Sequence, residues 1–481
     1  MRLLSSLLLT FSFCCCVAQD GYNIHFRVTG LRDTTAYLGY FINESTFIKD
    51  TAHVDAKGEF GFQGAKPLSQ GVYMLVLSKP GGRKAEAIRQ FEFVVSSDQD
   101  FSLTTDTTNY VEHMRVSGDA DNSLFFENID FNIARNKEAE PFFKVIRDST
   151  LSEDQKKTAR DALNKINDKV MAYQGELIQK NPGALTAKII KAHRPVKVPD
   201  PPRKPDGSID STFQLKWYRE HFFDNFDLSD DALLRLSTPM YRDKINEYLD
   251  RLYAPVSDSL TAAVVHIVSK AKPNPETYKY AVFLCMLKFQ NNEIMGLDEV
   301  YVNLYDKYFA TGEMDFWANA SMKKAVKDEA ERFRKSLVGQ KGDNLIMLDS
   351  NLKPRALYDV KHKYTILYIF NPDCGHCKIE TPKLVSFYGK TKFDVGVFAV
   401  STDTSMVKMR NYIRDMKMNW ITVNGPRTYV GPYSDHYDAN TTPSLYVLDS
   451  KKVIIGKKVP ADKLEDFLMQ YERVQRLRGQ M

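Results

Sequence analysis

From Tyr364 to Phe370 the chain reads Tyr-Thr-Ile-Leu-Tyr-Ile-Phe, an apolar, β-branched and aromatic run of strand length that breaks at Pro372-Asp373 before Cys374-Gly375-His376-Cys377. A helix starting at the first thiol would aim its free N–H groups and positive dipole end at Cys374 Sγ and favour the thiolate, the nucleophilic form. The two-residue spacing puts Cys377 within disulfide reach and inside the first helical turn, so that one thiol is open to attack and the other resolves. Zinc is the competing use for two close cysteines. It takes four ligands, and no second cysteine pair follows downstream. Neither a metal nor an organic cofactor is expected.

These residues, with Glu380 and Pro382 behind them, resemble the active site of the thioredoxin superfamily. Cys-Gly-His-Cys is similar to the motif of protein disulfide isomerases, and Cys-x-x-Cys-x-x-Glu-x-Pro to that of the TlpA-like envelope thiol-disulfide oxidoreductases. Leu357 to Lys361, Val397 to Thr402 and His436 to Asp449 follow in the order of the TlpA-like pattern. The resemblance implies an α/β thioredoxin-like domain at 338–481 with Cys374 and Cys377 as its redox-active pair. It also implies that Thr442-Pro443 occupies the cis-proline position, where a rigid backbone pairs with an extended substrate segment.

The chain departs from that pattern in two places. Thioredoxins carry a buried acid in the strand before the motif, and the matching position is Tyr368. Glu380, three residues past Cys377 and on the same helical face, is the substitute candidate for relaying a proton, against the plainer reading of a solvated helix glutamate. The tryptophan usual before the first cysteine is Asp373, whose carboxylate opposes thiolate formation, while a protonated His376 favours it. By analogy of the Gly375-His376 dipeptide, the potential lies nearer the isomerase value of about −180 mV than the thioredoxin value of about −270 mV. A peroxiredoxin is not expected, because Pro372-Asp373-Cys374 does not supply that family's Pro-x-x-x-Thr/Ser-x-x-Cys frame.

At 481 residues the chain is too long for this domain alone, and its length points to about three domains. A formal charge of +5 with no basic cluster interleaved with aromatics argues against a nucleic-acid partner. Residues 1–18 read as a secretory signal peptide, with a positive start, a short apolar core and Cys16-Val-Ala18 before Gln19. Lipoprotein processing at Cys14, Cys15 or Cys16 is the alternative. No later stretch reaches transmembrane length. The expected location is therefore the bacterial periplasm or cell envelope. Three of the six cysteines fall in the signal, leaving Cys374, Cys377 and Cys285, the last read as a buried small hydrophobe.

The fold class expected is multidomain: an all-β N-terminal sandwich, an α-helical middle region and the α/β thioredoxin-like domain. Residues 20–118 alternate as strands, with Asp55-Ala-Lys-Gly58 read as a hairpin turn. The period turns helical for a connector at 119–193, with a capping start at Ser152-Glu-Asp-Gln155. A proline-rich linker or strap follows at 194–208, then a helical domain at 209–337. Phe213, Trp217, Tyr218, Phe222, Phe223 and Phe226 read as one core-facing side of a helix. Sandwich and helical domain resemble modules of unknown function found ahead of thioredoxin-like domains. His436 is read as a surface residue, and Asn440-Thr-Thr442 as a formal glycosylation sequon.

The function expected is an exported thiol-disulfide oxidoreductase acting on protein thiols and disulfides, with an oligomer left open. A reducing role would also require an electron source across the membrane, which this chain does not contain. The rival is an envelope binding or assembly protein in which the thioredoxin-like module is secondary.

Overall fold

The computed structural model describes residues 21–43, 45–78, 88–203 and 205–479. The expected signal peptide and its cysteines lie outside them. The chain divides after Asn246 into two compact units.

In the first unit, eight strands are described: β1 (Tyr22–Thr29), β2 (Thr35–Ile42), β3 (Ser45–His53), β4 (Glu59–Gly64), β5 (Gly71–Leu77), β6 (Ile88–Val95), β7 (Asp100–Asp106) and β8 (Arg115–Ser117). They form two four-stranded sheets, ordered β4-β1-β7-β8 and β3-β2-β5-β6. Alternation in β1 sends Tyr22, Ile24, Phe26 and Val28 inward, where Phe26 stacks on Phe60 at 5.0 Å and meets Phe93 edge-on at 5.6 Å. Each such ring contributes about 1.5–3 kcal/mol by leaving water. The sequence Asp55-Ala-Lys-Gly58 makes a turn but not a hairpin. The Asp55 carboxylate accepts from the N–H groups of Lys57 and Glu59, yet β3 pairs with β2 and β4 with β1, so this turn carries the chain from one sheet to the other. A turn's local hydrogen bonds do not specify which strand its exit segment will pair with.

Helices α1 (Ala120–Arg147), α2 (Glu153–Lys180) and α3 (Leu185–His193) follow. α2 opens on the capping box Ser152/Gln155, and the buried Asp121 carboxylate of α1 accepts from the N–H groups of Leu185 and Thr186, capping α3. Residues 195–202 of the proline-rich stretch lie in neither helix nor strand, and Asn225 Nδ2 donates to the Arg194 carbonyl at 3.1 Å. α4 (Phe213–His221) is shorter than the aromatic pattern implied. It buries none of its own residues, and the buried members of the set, Phe222, Phe223 and Phe226, lie in the turn beyond it. The division between the units falls within α5 (Met240–Leu252).

After the end of α5, the second unit holds α6 (Ser257–Ala271), α7 (Pro275–Gln290), α8 (Asp298–Leu304) and α9 (Ala320–Lys335). Asn274 caps α7, with Pro275 at its first position, where a missing N–H costs nothing. Then come β9 (Ile346–Asp349), β10 (Pro354–Ala356), β11 (Tyr364–Phe370), α10 (Gly375–Lys390), β12 (Val395–Ser401), α11 (Met406–Asp415), β13 (Ile421–Thr428), β14 (Ser444–Leu448), β15 (Ile454–Lys457) and α12 (Leu464–Leu477). The described strands make one sheet, ordered β10-β9-β13-β12-β11-β14-β15. β11 runs parallel to β12 and antiparallel to β14, and every one of its residues is buried. Tyr364, Ile366, Tyr368 and Phe370 enter one core layer while Leu367 and Ile369 enter the other, the period of two expected of a strand covered on both faces. The Cys-x-x-Cys segment thus leaves the carboxyl end of an interior strand.

Candidate active site

Cys374 is the N-cap residue of α10, extended at φ −72° and ψ 125°, and the helix begins at Gly375. Its thiol is partly exposed. Cys377, in the first turn, is buried. Gly375 and His376 are exposed, and a Cβ added at Gly375 would meet nothing within 4 Å, so no side chain covers this helix start. The Thr442–Pro443 bond is cis, and Cys374 Sγ–H donates to the Thr442 carbonyl at 3.2 Å. The structure thus brings Cys374, Cys377, Thr442 and Pro443 together at the carboxyl end of β11.

The two thiols differ electrostatically. At Cys374 partial desolvation raises the pKa, but the Cys377 N–H, the Thr442 side chain, the Cys377 thiol and the His376 N–H stabilise the anion, and the balance falls below the ordinary cysteine value. Burial pushes Cys377 up to about 12, only partly relieved by the Asn371 N–H at 3.5 Å from its sulfur. One sulfur is therefore the better acid and the more reachable, and the other is held protonated behind it.

Comparison with known families places residues 362–454 in the family described as Thioredoxin-like, and residues 153–331 in a domain of unknown function, DUF5106. The chain belongs to the thioredoxin superfamily. Among solved structures, it is similar to a domain of a possible thiol-disulfide isomerase from Cytophaga hutchinsonii, at 37% identity over 29% of this chain and 97% of that one, with a TM-score of 0.27. It is also similar to a thioredoxin-like protein from Bacteroides caccae, at 17% identity over 57% of this chain and 99% of that one, TM-score 0.43. A third is the thioredoxin domain of a thiol-disulfide oxidoreductase from Bacteroides vulgatus, at 20% identity over 28% of this chain and 96% of that one, TM-score 0.25. A search of curated proteins found no match.

Within the thioredoxin-like domain, Tyr368 points into the core beneath the dithiol. Its hydroxyl lies 2.8 Å from Thr381 Oγ1, which lies 2.8 Å from the Tyr412 hydroxyl and donates to the Cys377 carbonyl at 2.8 Å. Burial holds both tyrosines well above the usual phenol value, so neither acts as a base near neutral pH. Glu380, one turn past Cys377, is not free in solvent. Its Oε1 accepts from Lys383 at 2.5 Å and its Oε2 from the Ala461 N–H at 3.2 Å.

The Asp373 carboxylate is paired with Lys408 of α11 at 2.6 Å, which holds it below the usual carboxylate range. Lys408 also lies 3.3 Å from Asp403. The ammonium thus offsets the negative charge that Asp373 brings beside Cys374. The sequence reading missed Lys408, Thr381 and Tyr412. The first and last lie more than thirty residues from the motif, on a helix whose register against β11 no local pattern sets, and Thr381 reads as an ordinary helix residue.

His436 is a correction to the surface reading. Its side chain is 19% exposed, with Nδ1 2.8 Å from the Asp343 carboxylate and Nε2 3.0 Å from the Val430 carbonyl. Asp343, ahead of β9, and the Val430 carbonyl of its own loop occupy the two ring nitrogens of this half-buried side chain. Asn440, the formal sequon residue, is exposed. Cys285 is fully buried in α7, and desolvation pushes it up to about 12.

Proposed function

We propose that the protein is an exported thiol-disulfide oxidoreductase that acts on protein disulfides through its Cys374-Gly-His-Cys377 pair. The observation that carries this reading is the 3.2 Å contact between the helix-capping Cys374 sulfur and the carbonyl preceding cis-Pro443, with Cys377 buried behind it. The Cys374 thiolate attacks one sulfur of a substrate disulfide, forming a mixed disulfide and expelling the other sulfur as a thiolate. Cys377 then loses its proton and attacks Cys374 Sγ. The Cys374–Cys377 bond forms, the second substrate sulfur leaves, and two electrons have passed to the substrate. The proton from Cys377 ends on a leaving thiolate; to carry it, Glu380 would give up its contact with Lys383 or with the Ala461 N–H. The same steps in reverse donate a disulfide.

Ionisation of Cys374 removes the donor that occupies the Thr442 carbonyl. That carbonyl then accepts from the backbone N–H of an extended substrate segment lying against Pro443, which favours a peptide over a small disulfide. His376 and Asp373 tune the thiolate from opposite directions. The amino-terminal pattern of residues 1–18 supports export to the envelope. Among the described residues, no helix is long and apolar enough to cross a membrane.

The test is a trap. With Cys377→Ser, mixed disulfides through Cys374 should accumulate on proteins of the native compartment, and Cys374→Ser should abolish them. Finding no adducts with Cys377→Ser refutes the reading.

A further inference from the structure

The loop from Val430 to Thr442 delivers the cis-proline to Cys374, yet no residue in it belongs to a strand, so its position depends on what it packs against. Part of that support comes from the thioredoxin-like sheet. Tyr446 Oη of β14 donates to the Asp438 carbonyl at 2.6 Å, and the fully buried Tyr437 ring meets Tyr446 at 5.2 Å. The rest comes from α9 and its C-cap residue Ser336. Lys335 Nζ donates to the Asp435 carbonyl at 3.1 Å, the Asp438 N–H donates to Ser336 Oγ at 3.4 Å, and Arg332 Nε faces the Asp438 carboxylate at 3.6 Å.

The Arg332–Asp438 pair is largely enclosed, at 18% and 11% side-chain exposure, and Arg332 also pairs with Glu329. One guanidinium therefore balances two carboxylates. Without it, Asp438 would be left charged, shielded from water and beside a second acid. α9 is itself anchored to the sheet. Lys457 of β15 is buried with Asp298 at 1% and 5% exposure, donates to the Ser336 carbonyl at 3.2 Å, and sits over the rings of Phe333 and Tyr446. Helix, edge strand and loop form one charge-lined cluster that ends four residues before Thr442.

We propose that α9 braces the cis-proline loop, with Arg332 as a positioning residue that acts through Asp438 on the peptide groove. The last helix ahead of the thioredoxin-like domain is then a working part of substrate binding rather than a spacer. This rests on the dithiol reading above. Loosening the brace weakens docking of an extended chain more than it alters the chemistry at Cys374, because neither Arg332 nor Asp438 touches either sulfur and Thr442 is one of four groups that stabilise the thiolate.

The full-length protein and its Arg332→Ala, Arg332→Lys and Asp438→Asn variants are compared in two assays. One is the rate of Cys374 reaction with 5,5′-dithiobis(2-nitrobenzoate), which needs no groove. The other is KM and kcat for insulin reduction, with dithiothreitol regenerating the dithiol. The expected result is an insulin KM raised about five- to tenfold in Arg332→Ala and Asp438→Asn, for the loss of a partly buried charge contact. Both kcat and the small-disulfide rate should stay within about twofold, and Arg332→Lys should recover most of the KM. Asp438→Asn keeps the loop's volume and serves where Arg332→Ala fails to fold. An unchanged KM in both variants, or KM, kcat and small-disulfide rate all falling together, overturns the brace while leaving the dithiol reading intact. A wild-type protein inert in both assays overturns the dithiol reading itself, and the brace with it.

Discussion

Tyr368 Oη lies 2.8 Å from Thr381 Oγ1, both groups fully enclosed, at the position where thioredoxins keep an acid. The Cys377 carbonyl can only accept, so the single Thr381 proton goes there, and both Tyr368 and Tyr412 must donate to Thr381. The cluster is complete without a carboxylate, and it fixes the turn of α10 that carries Cys377. Thr381→Val strands two phenol hydroxyls and should cost about 2–5 kcal/mol in urea unfolding, whereas Tyr412→Phe should cost about 1 kcal/mol. A neutral Thr381→Val would contradict this arrangement.

The Asp373–Lys408 pair predicts opposed effects on the Cys374 thiol. Lys408→Met leaves a bare carboxylate beside Cys374 and should raise the pKa of its thiol, slowing its labelling near neutral pH about threefold, as befits exposed charges in water. Asp373→Asn should lower it, and the double variant should return close to wild type. The check is the pH dependence of iodoacetamide labelling at low salt, and equal shifts in both single variants would refute the pairing.

Lys457 and Asp298 form a buried pair whose members are differently replaceable. Asp298→Ala leaves an ammonium enclosed without its partner and should cost about 3–5 kcal/mol, while replacing both by apolar residues of similar volume should cost far less. Denaturant melts of the two variants distinguish these outcomes.

Burial holds Cys285 and Cys377 as neutral thiols. For an acid whose folded pKa is raised, the stabilising contribution is present below the unfolded value near 8.5 and is lost as pH rises from there towards about 12. Stability of the reduced protein should therefore fall above about pH 8.5, and less steeply in Cys285→Ala. Cys285 should stay unlabelled by thiol reagents until the protein is denatured. Labelling at the rate of Cys374 in the native state would contradict its burial.

What the sequence made legible was whatever lies close together along it. The run Tyr364–Phe370, the Pro372 break and the two cysteines specify strand, turn and helix start through local chemistry, and the structure has Cys374 as the cap of α10. Thr442-Pro443 was legible by resemblance, and its bond is cis beside Cys374. Partners set by packing were not legible. Nothing near Asp373 announces Lys408, and Asp55-Ala-Lys-Gly58 carries every mark of a turn while saying nothing of which sheet receives β4. His436 failed for the same reason, since its cover is Asp343, more than ninety residues earlier.

The most direct test of the central claim is the pH dependence of alkylation in the fully reduced protein, with the modified cysteine identified by mass spectrometry. Cys374 should be modified first, at a rate that titrates with a midpoint below the ordinary thiol value, while Cys377 stays protected across that range. A midpoint at or above the ordinary thiol value, or modification of Cys377 ahead of Cys374, would contradict the assignment of nucleophile and resolving thiol.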